Sequence, residues 1–320
     1  MTVSTDIAVR VAETEAVANG VKRFRLVAAD GAHLPEFSGG AHTVVTMRDG
    51  NRVRRNPYSL MGSPYDGSSY QISVLKTVDS RGGSVFMHDK VQVGSELMIS
   101  QPVNLFPLDR RGRKHLLLAG GIGITPFMAM MMQLTREDLP FELHYANRSE
   151  DRGAFIPALR TTYGHRVHTY FDDQGQALPL ARLLESQPLG TQLYVCGPSG
   201  MIDWVLASAR NAGWPNENVH SERFLAPPSG KPFMVELAKS KKTFEVGEYQ
   251  SVLEAVEAAG VDAPYLCRGG ACGQCETAVI SCSGTLKHND HYLSDDEKAS
   301  GRKIMICVSR VDGANLVLDL

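Results

Sequence analysis

The side chains with the most specific chemistry in this sequence are four cysteine thiols near its C-terminal end. Cys267, Cys272 and Cys275 have the spacing C-x4-C-x2-C, and Cys307 follows at a distance. This is the ligand pattern of a plant-type [2Fe–2S] cluster, in which four thiolates hold two irons. Three ligands in one loop force the backbone to wrap closely around the cluster, and glycines permit this because they enter φ > 0 conformations freely. The loop contains Gly269, Gly270 and Gly273.

A zinc site and disulfides remain alternatives for these cysteines, although the spacing favours the iron–sulfur cluster. Structural zinc sites usually consist of two C-x2-C pairs, and here only Cys272 and Cys275 are spaced in that way. Disulfides are awkward for three cysteines within nine residues. Cys282 is interpreted as a core residue and not as a ligand.

Up to about residue 108 the sequence has the pattern of a small antiparallel barrel. Short alternating segments separated by turn residues predict many strands and little helix, which is typical of a Greek-key barrel. The predicted strands are Val21–Ala28, Ala41–Met47, Tyr70–Val78 and Ser95–Ser100, with a turn at 49–51.

Three features of this barrel suit a phosphate or a flat heterocycle. The segment 54–60 brings guanidinium, aromatic and hydroxyl groups to a strand end, and arginine pairs bidentately with phosphate. Lys76 is expected two residues before the end of an alternating strand. The glycine-rich turn 80–84 leads into a predicted short helix, a geometry that holds phosphate on backbone amides. Each feature alone is common on ordinary surfaces, but together they indicate an anion-binding barrel.

From about residue 109 to 224, apolar strands alternate with helices, which predicts a parallel, doubly wound α/β sheet. The predicted strands are Leu116–Ala119, Phe141–Tyr145, Val167–Phe171 and Gln192–Val195. The predicted helices are Pro126–Leu134, Leu180–Glu185 and Met201–Asn211.

The first strand of this sheet ends in a glycine-rich turn. Gly120, Gly121 and Gly123 lead to Thr125, expected to N-cap the next helix, and to Pro126, expected at its first position. Glycines between the first strand and a helix are typical of a nucleotide-binding crevice. Pro126 replaces the third glycine of the standard G-x-G-x-x-G motif, so the turn alone is only moderately specific.

The last module follows a linker at 225–232. Ser251 and Glu254 form a capping box at the start of a helix that Gly260 should close, and the cysteine loop comes directly afterwards.

Composition excludes several classes of protein. The formal net charge of −2 argues against a nucleic-acid-binding protein. No apolar run approaches the roughly 18 residues that a membrane span requires. Residues 1–6 contain neither a basic segment nor an apolar one, so no export signal is expected, and the cysteine usage predicts a reducing cytoplasm.

The order of the three modules resembles that of the phthalate dioxygenase reductase family, and the resemblance covers nearly the whole chain. It implies an FMN-binding barrel at 1–108, an NAD-binding α/β domain at 109–226 and an α+β plant-type ferredoxin domain at 227–320. The motifs that carry it are 58–60, 82–84, 102–108, 120–126, 194–198, 222–224, the four cysteines and 316–320.

The resemblance also implies roles around the flavin. Tyr58 would flank the isoalloxazine and Ser59 would hydrogen-bond near its N5. The arginine that usually lies two residues before this tyrosine is replaced by Asn56, so Arg55 is the nearest candidate for the phosphate contact. The remaining residues expected to line or face the flavin are Lys76, Gly83, Ser84 and Thr125.

On the nicotinamide side, the resemblance places Cys196, with Gly197 and Pro198, near the nicotinamide. Phe224 would cover the flavin until the nicotinamide displaces it. The adenosine ribose is expected near Asp172 and Asp173, whose carboxylates would favour NADH over NADPH. Ser59, Cys196 and Phe224 are therefore the predicted catalytic residues.

The resemblance implies electron transfer from NADH through FMN and the [2Fe–2S] cluster to a Rieske-type non-haem iron oxygenase. That partner would be a phthalate-type aromatic-ring dioxygenase or demethylase, and this protein would be a monomer. A nicotinamide delivers two electrons as hydride and a cluster accepts one, so a flavin must mediate. Two alternatives are a stand-alone flavin reductase or diaphorase, distinguished by partner-dependent activity, and a non-catalytic redox sensor, distinguished by flavin bleaching with NADH.

Overall fold

The computed structural model describes residues 6–50, 52–77 and 81–320. The turn residue Asn51, Val78 of a predicted strand, Ser80 of the glycine-rich turn and residues 1–5 lie outside the described residues. The chain divides into two compact units. The first contains the chain up to Met47 and Tyr58–Arg223, and the second contains Arg48–Pro57 and Phe224–Leu320. The predicted domain boundaries at 108 and 226 remain a prediction.

The first sheet is the expected Greek-key antiparallel barrel. Its elements are β1 (Ile7–Ala18), β2 (Val21–Ala28), β3 (Ala41–Asp49), β4 (Arg52–Ser59), β5 (Tyr70–Leu75), α1 (Gly83–Asp89), β6 (Glu96–Ile99) and β7 (Val103–Asn104). The strand order is β4-β3-β6-β1-β2-β5, with β7 beside β3. Strand alternation directs side chains such as Phe24, Leu26 and Ile72 into the core, where they are fully buried.

The second sheet is parallel and has helices on both faces. Its elements are β8 (Lys114–Gly120), α2 (Thr125–Arg136), β9 (Phe141–Asn147), α3 (Ile156–Tyr163), β10 (Val167–Phe171), α4 (Leu180–Glu185), β11 (Thr191–Cys196), α5 (Ser199–Asn211) and β12 (Val219–Glu222). The strand order is β10-β9-β8-β11-β12. From β8 the chain adds strands first on one side of the sheet and then on the other, so the order of connection switches between β8 and β11. In such sheets a ligand crevice lies at the carboxyl ends of the two strands at the switch. The sequence analysis did not predict α3.

The sheet of the second unit has the mixed topology of a ferredoxin domain. Its elements are β13 (Phe233–Leu237), β14 (Lys242–Val246), α6 (Val252–Ala258), β15 (Glu276–Lys287), α7 (Asp295–Ser300), β16 (Lys303–Met305) and β17 (Arg310–Leu318). The order is β14-β13-β17-β15-β16, with β13 and β17 parallel. The predicted capping box at Ser251 and Glu254 is confirmed, and Gly260 follows the helix end with φ +69°.

Among the described residues, no helix is both long and apolar enough to cross a bilayer.

Candidate functional site

The four predicted ligand thiols interact in two pairs. The Cys267 and Cys272 thiols shift each other's pKa most strongly, and so do the Cys275 and Cys307 thiols. All six cysteines of the chain are free thiols. Among the described residues, no three thiol sulfurs lie within 4.8 Å of one another, as ligands of a single ion would. Two separate pairs fit two irons with two thiolates each, which favours a [2Fe–2S] cluster over zinc.

Close backbone approach shapes the cysteine loop. The Gly269 N–H donates to the Cys267 sulfur at 3.4 Å. The Cys272 thiol and the loop amides lower the pKa of the Cys267 thiol, and the same pairing raises the pKa of Cys272. Gly270 and Gly273 have φ of +73° and +77°. A Cβ at Gly273 would lie 2.3 Å from the Tyr292 ring.

Gly269 does not adopt a positive φ, whereas the preceding Arg268 adopts the left-handed conformation, with φ +52°. Two contacts hold this buried arginine. Its guanidinium forms an ion pair with Glu257 and lies 3.9 Å from the centre of the Tyr265 ring.

The same Glu257 carboxylate also forms an ion pair with Arg55, in which Arg55 Nη1 lies 3.1 Å from Glu257 Oε2. Arg55 belongs to the segment of the second unit formed by Arg48–Pro57. Its predicted contact with the FMN phosphate remains a prediction, and this ion pair argues against it because the guanidinium already has a carboxylate partner.

The buried hydroxyl of Ser59 lies in the first unit, where the flavin is expected. Ser59 ends β4, and its Oγ is buried without a hydrogen-bond partner among the described residues. Leaving a buried polar group unpaired costs about 1–3 kcal/mol, so a ligand that pairs with it is indicated. Tyr58, beside it, packs partly buried against the barrel core. A flat heterocycle with a polar edge, such as flavin, fits both side chains.

The predicted phosphate turn also forms a buried helix start. Gly82 has φ +98° and precedes α1, whose first residues Gly83 and Ser84 are buried. The Ser84 hydroxyl accepts from the Thr77 N–H at 3.3 Å. Lys76 was expected inside a strand, but it lies one residue beyond β5, and its Nζ pairs with Asp89 at 2.7 Å. The predicted contact of Lys76 with the flavin therefore competes with an ion pair.

Glycines at the end of β8 allow two loops to meet at the crevice of the second sheet. A Cβ at Gly123 would lie 2.2 Å from the Cys196 carbonyl oxygen, and one at Gly120 would lie 2.8 Å from the Pro198 ring. A Cβ at Gly197 would lie 3.0 Å from the Gly120 Cα. The close approach of the two loops therefore requires small residues here.

The predicted N-cap at Thr125 is wrong. A 3₁₀ turn at Gly121–Ile124 runs directly into α2, so Thr125 is the first residue of the helix and Pro126 the second. The buried Thr125 hydroxyl donates to the Ile122 carbonyl at 3.0 Å. The preceding turn continues the helical hydrogen bonding, which makes a side-chain cap unnecessary.

Cys196 is fully buried at the end of β11, and burial together with the charge of Glu222 raises the pKa of its thiol. Glu222 ends β12 directly beside it in the parallel register. Burial raises the pKa of the Glu222 carboxyl to about 8, and its Oε2 has no hydrogen-bond partner among the described residues. The sequence analysis did not assign Glu222 a role, although an acid at the carboxyl end of a strand in such a sheet was a usable signal.

The other predicted residues are exposed. Asp172 and Asp173 form an open turn after β10, where the Asp173 N–H donates to the Arg148 carbonyl at 3.0 Å. Phe224 is the first residue of this part of the second unit, and 47% of its surface is exposed. Its predicted role as a cover for the flavin remains a prediction.

Comparison with known proteins agrees with this geometry. Residues 97–219 match the family described as the N-terminal domain of dimethylamine monooxygenase subunit DmmA-like proteins. Residues 235–312 match the 2Fe-2S iron-sulfur cluster binding domain.

Similar proteins cover nearly the whole chain. The carnitine monooxygenase reductase subunit of Acinetobacter pittii is 47% identical, over 94% of this chain and 98% of its own length. The heme-dependent oxidative N-demethylase beta subunit of Ectopseudomonas mendocina is 43% identical, over 99% and 100%. The solved structure of phthalate dioxygenase reductase, 36% identical, superimposes with a TM-score of 0.89 over 98% of both chains.

The chain therefore has sites for a [2Fe–2S] cluster, FMN and NADH. Their assignment to the four cysteines, to Ser59 and to the glycine-lined crevice remains a prediction. The chain is an iron–sulfur flavoprotein oxidoreductase that supplies electrons to an oxygenase, and it belongs to the phthalate dioxygenase reductase family.

Proposed function

We propose that this protein is the monomeric, cytoplasmic reductase component of a Rieske-type oxygenase system. The observation that carries the proposal is the surface around the cysteine loop. Cys272 is partly exposed, and the neighbouring large apolar side chains Tyr265, Leu266 and Tyr292 are 45%, 38% and 50% exposed. A cluster edge surrounded by exposed apolar side chains suits an electron exit to a protein partner, which a stand-alone diaphorase does not need.

Ser59, the crevice glycines and Glu222 have separate roles in the proposed electron transfer. FMN, when bound, accepts a hydride and releases its electrons singly to the cluster. The Ser59 hydroxyl is available to hydrogen-bond the flavin ring. Gly120 and Gly123 let the Cys196 segment close one wall of the crevice. The buried Glu222 carboxyl, protonated at neutral pH, can hold a proton at its unpaired oxygen beside the nicotinamide site.

The names of the relatives narrow the class of substrate. Reductase subunits of carnitine monooxygenases are 44–47% identical to this chain, whereas vanillate O-demethylase reductases are 36–40% identical. We therefore propose an oxygenase that removes or oxidises an N-alkyl group, alongside the aromatic-ring dioxygenase or demethylase class that the vanillate and phthalate relatives support.

A haem-containing partner is the second candidate for the electron acceptor. The Ectopseudomonas mendocina relative is named as a subunit of a heme-dependent enzyme. A self-sufficient cytochrome P450 monooxygenase also matches 98% of this chain at 34% identity, over 41% of its own length. The acceptor centre resides in the partner, so this chain's own residues fit either centre.

Reconstitution decides between these partners. The holoprotein is mixed with NADH and the oxygenase component of either the Acinetobacter pittii carnitine system or the Ectopseudomonas mendocina N-demethylase, and product formation is measured. We expect turnover with the first oxygenase and little with the second. Turnover with the haem enzyme alone would reverse the assignment, and turnover with neither, despite NADH-driven cytochrome c reduction, would favour a diaphorase.

Variants of the surface test the exit itself. Leu266→Ser should raise the KM for the oxygenase about tenfold while cluster content and the rate of cytochrome c reduction stay unchanged. Ile280→Ser is the matched control, because Ile280 is 57% exposed on β15, outside the loop. Equal KM values for the two variants would show that this surface does not bind the partner.

A further inference from the structure

A second group of metal-ligating side chains lies on the α/β sheet, away from the cysteines. Glu142 and His144 are on β9, and His168 on the edge strand β10 pairs directly with His144. Because side chains alternate along a strand, Glu142 and His144 point to the same face of the sheet. One ligand atom from each of the three residues lies within 4.8 Å of the other two.

His144 has the environment of a metal ligand. Its side chain is 4% exposed, and its Nε2 is buried without a hydrogen-bond partner among the described residues. The other ring nitrogen, Nδ1, lies 2.8 Å from the Tyr170 hydroxyl. When Nδ1–H donates to that oxygen, Nε2 carries a lone pair that faces Glu142, whose Oε1 is 3.7 Å away. Metal-binding histidines are usually oriented by such a contact on their second nitrogen.

The other two ligands flank His144. The Glu142 Oε1 atom lies 3.7 Å from His144 Nε2, and His168 is the direct neighbour of His144 on β10. The exposed His168 ring stacks on His144 with 4.6 Å between ring centres.

One neighbouring cation opposes metal binding. Lys114 Nζ lies 3.1 Å from Glu142 Oε2, and Gln187 donates to Oε1 at 2.8 Å. The carboxylate therefore has an oxygen on the side of the histidines, and the lysine charge reduces the affinity without blocking the site.

We propose that Glu142, His144 and His168 bind one borderline divalent transition-metal ion, for which Zn²⁺ is the representative. Two imidazoles and a carboxylate suit such ions, and the exposed side of His168 leaves a position open to water. The ion would join β10, the edge strand, to β9. The site is independent of the electron-transfer cofactors and of the identity of the oxygenase.

The test is calorimetric titration of Zn²⁺ into the oxidised holoprotein, in which iron occupies the four ligand cysteines. We expect one site per chain, weakened at least tenfold in His168→Gln. His165→Gln is the matched control, because His165 is also exposed and lies three residues earlier, outside the group. Lys114→Gln should tighten binding, since it removes the opposing charge. Unchanged flavin bleaching by NADH shows that each variant is folded.

Two results would overturn the proposal. One is Zn²⁺ binding of equal affinity in wild type and His168→Gln, which would place the ion elsewhere. The other is the absence of binding by the folded wild type at millimolar Zn²⁺. The thermal midpoint gives a second readout: Zn²⁺ should raise it in wild type and His165→Gln, but not in His168→Gln.

Discussion

The cysteine loop and the flavin–nucleotide crevice bring their functional residues together in different ways. The loop takes three ligands from nine consecutive residues and one from Cys307. The crevice of the second sheet combines strand ends and turns from Gly120 to Glu222, which only the folded sheet brings near one another. A local site depends mainly on the chemistry of its ligands. A site assembled from distant segments depends on how closely backbones pack, so substitutions without reactive groups should damage it.

The largest effect is expected from loss of one cluster ligand. Cys307→Ser removes half of the pair that Cys275 completes, so the cluster absorbance and the EPR signal after reduction should disappear, together with electron transfer to an oxygenase. Flavin bleaching by NADH, followed by stopped flow, should persist because Ser59, Cys196 and the crevice glycines lie in the first unit and need no cluster. Cys282→Ser is the control, since Cys282 packs against the core of the second unit. A cluster that survives in Cys307→Ser but not in Cys282→Ser would disprove the ligand set.

Adding a single methyl group at a glycine of the crevice should impair the nucleotide site, just as loss of a ligand impairs the cluster site. In Gly123→Ala the new Cβ would meet the Cys196 carbonyl oxygen at 2.2 Å, so the Cys196 segment must move. We expect a loss of about 1–3 kcal/mol in unfolding free energy and a raised KM for NADH. Gly200→Ala, on α5 with nothing within 4 Å of its Cβ, should leave both unchanged. Equal behaviour of the two variants would show that the close approach is not needed.

The same contrast explains what the sequence could predict. The cluster ligands follow from spacing, and strands such as Val21–Ala28 and Val167–Phe171 follow from alternation or apolar runs. The N-cap prediction at Thr125 was wrong because a 3₁₀ turn at Gly121–Ile124 extends the helix backwards. Glu222 and the partner of Arg55 were missed because each depends on a residue distant in sequence. Ligands that are close in sequence can be predicted from their spacing. Burial and ion pairing between distant segments can be seen only in the folded structure.

A buried acid makes the first unit sensitive to pH. The pKa of Glu222 in the folded protein, about 8, lies above the ordinary glutamate value of 4.5, so between these values the folded state holds a proton that the unfolded chain releases. The stability contribution is complete below about pH 4.5 and is lost as pH rises through about 8, a change on the order of a few kcal/mol.

This pH dependence is measured as the thermal midpoint of FMN release between pH 5.5 and 8.5, followed by flavin fluorescence. The midpoint should fall with pH in wild type and change much less in Glu222→Gln. Glu217→Gln, which removes an exposed carboxylate nearby, should follow wild type. An identical pH slope in all three proteins would contradict the assignment of the raised pKa to Glu222.

The smallest effect concerns the choice between NADH and NADPH at the open turn after β10. Asp172 and Asp173 are exposed, and the Asp173 N–H bonds to the Arg148 carbonyl, so two acids and one arginine lie on adjoining turns. Two carboxylates repel a 2′-phosphate more than one flexible arginine attracts it, so the ratio of kcat/KM should favour NADH. The double variant Asp172→Asn with Asp173→Asn should shift that ratio about tenfold toward NADPH, equivalent to about 1.4 kcal/mol. Glu185→Gln, an exposed acid at the end of α4, controls for long-range charge and should leave the ratio unchanged. A wild-type preference for NADPH, or an unchanged ratio in the double variant, would place the ribose away from this turn.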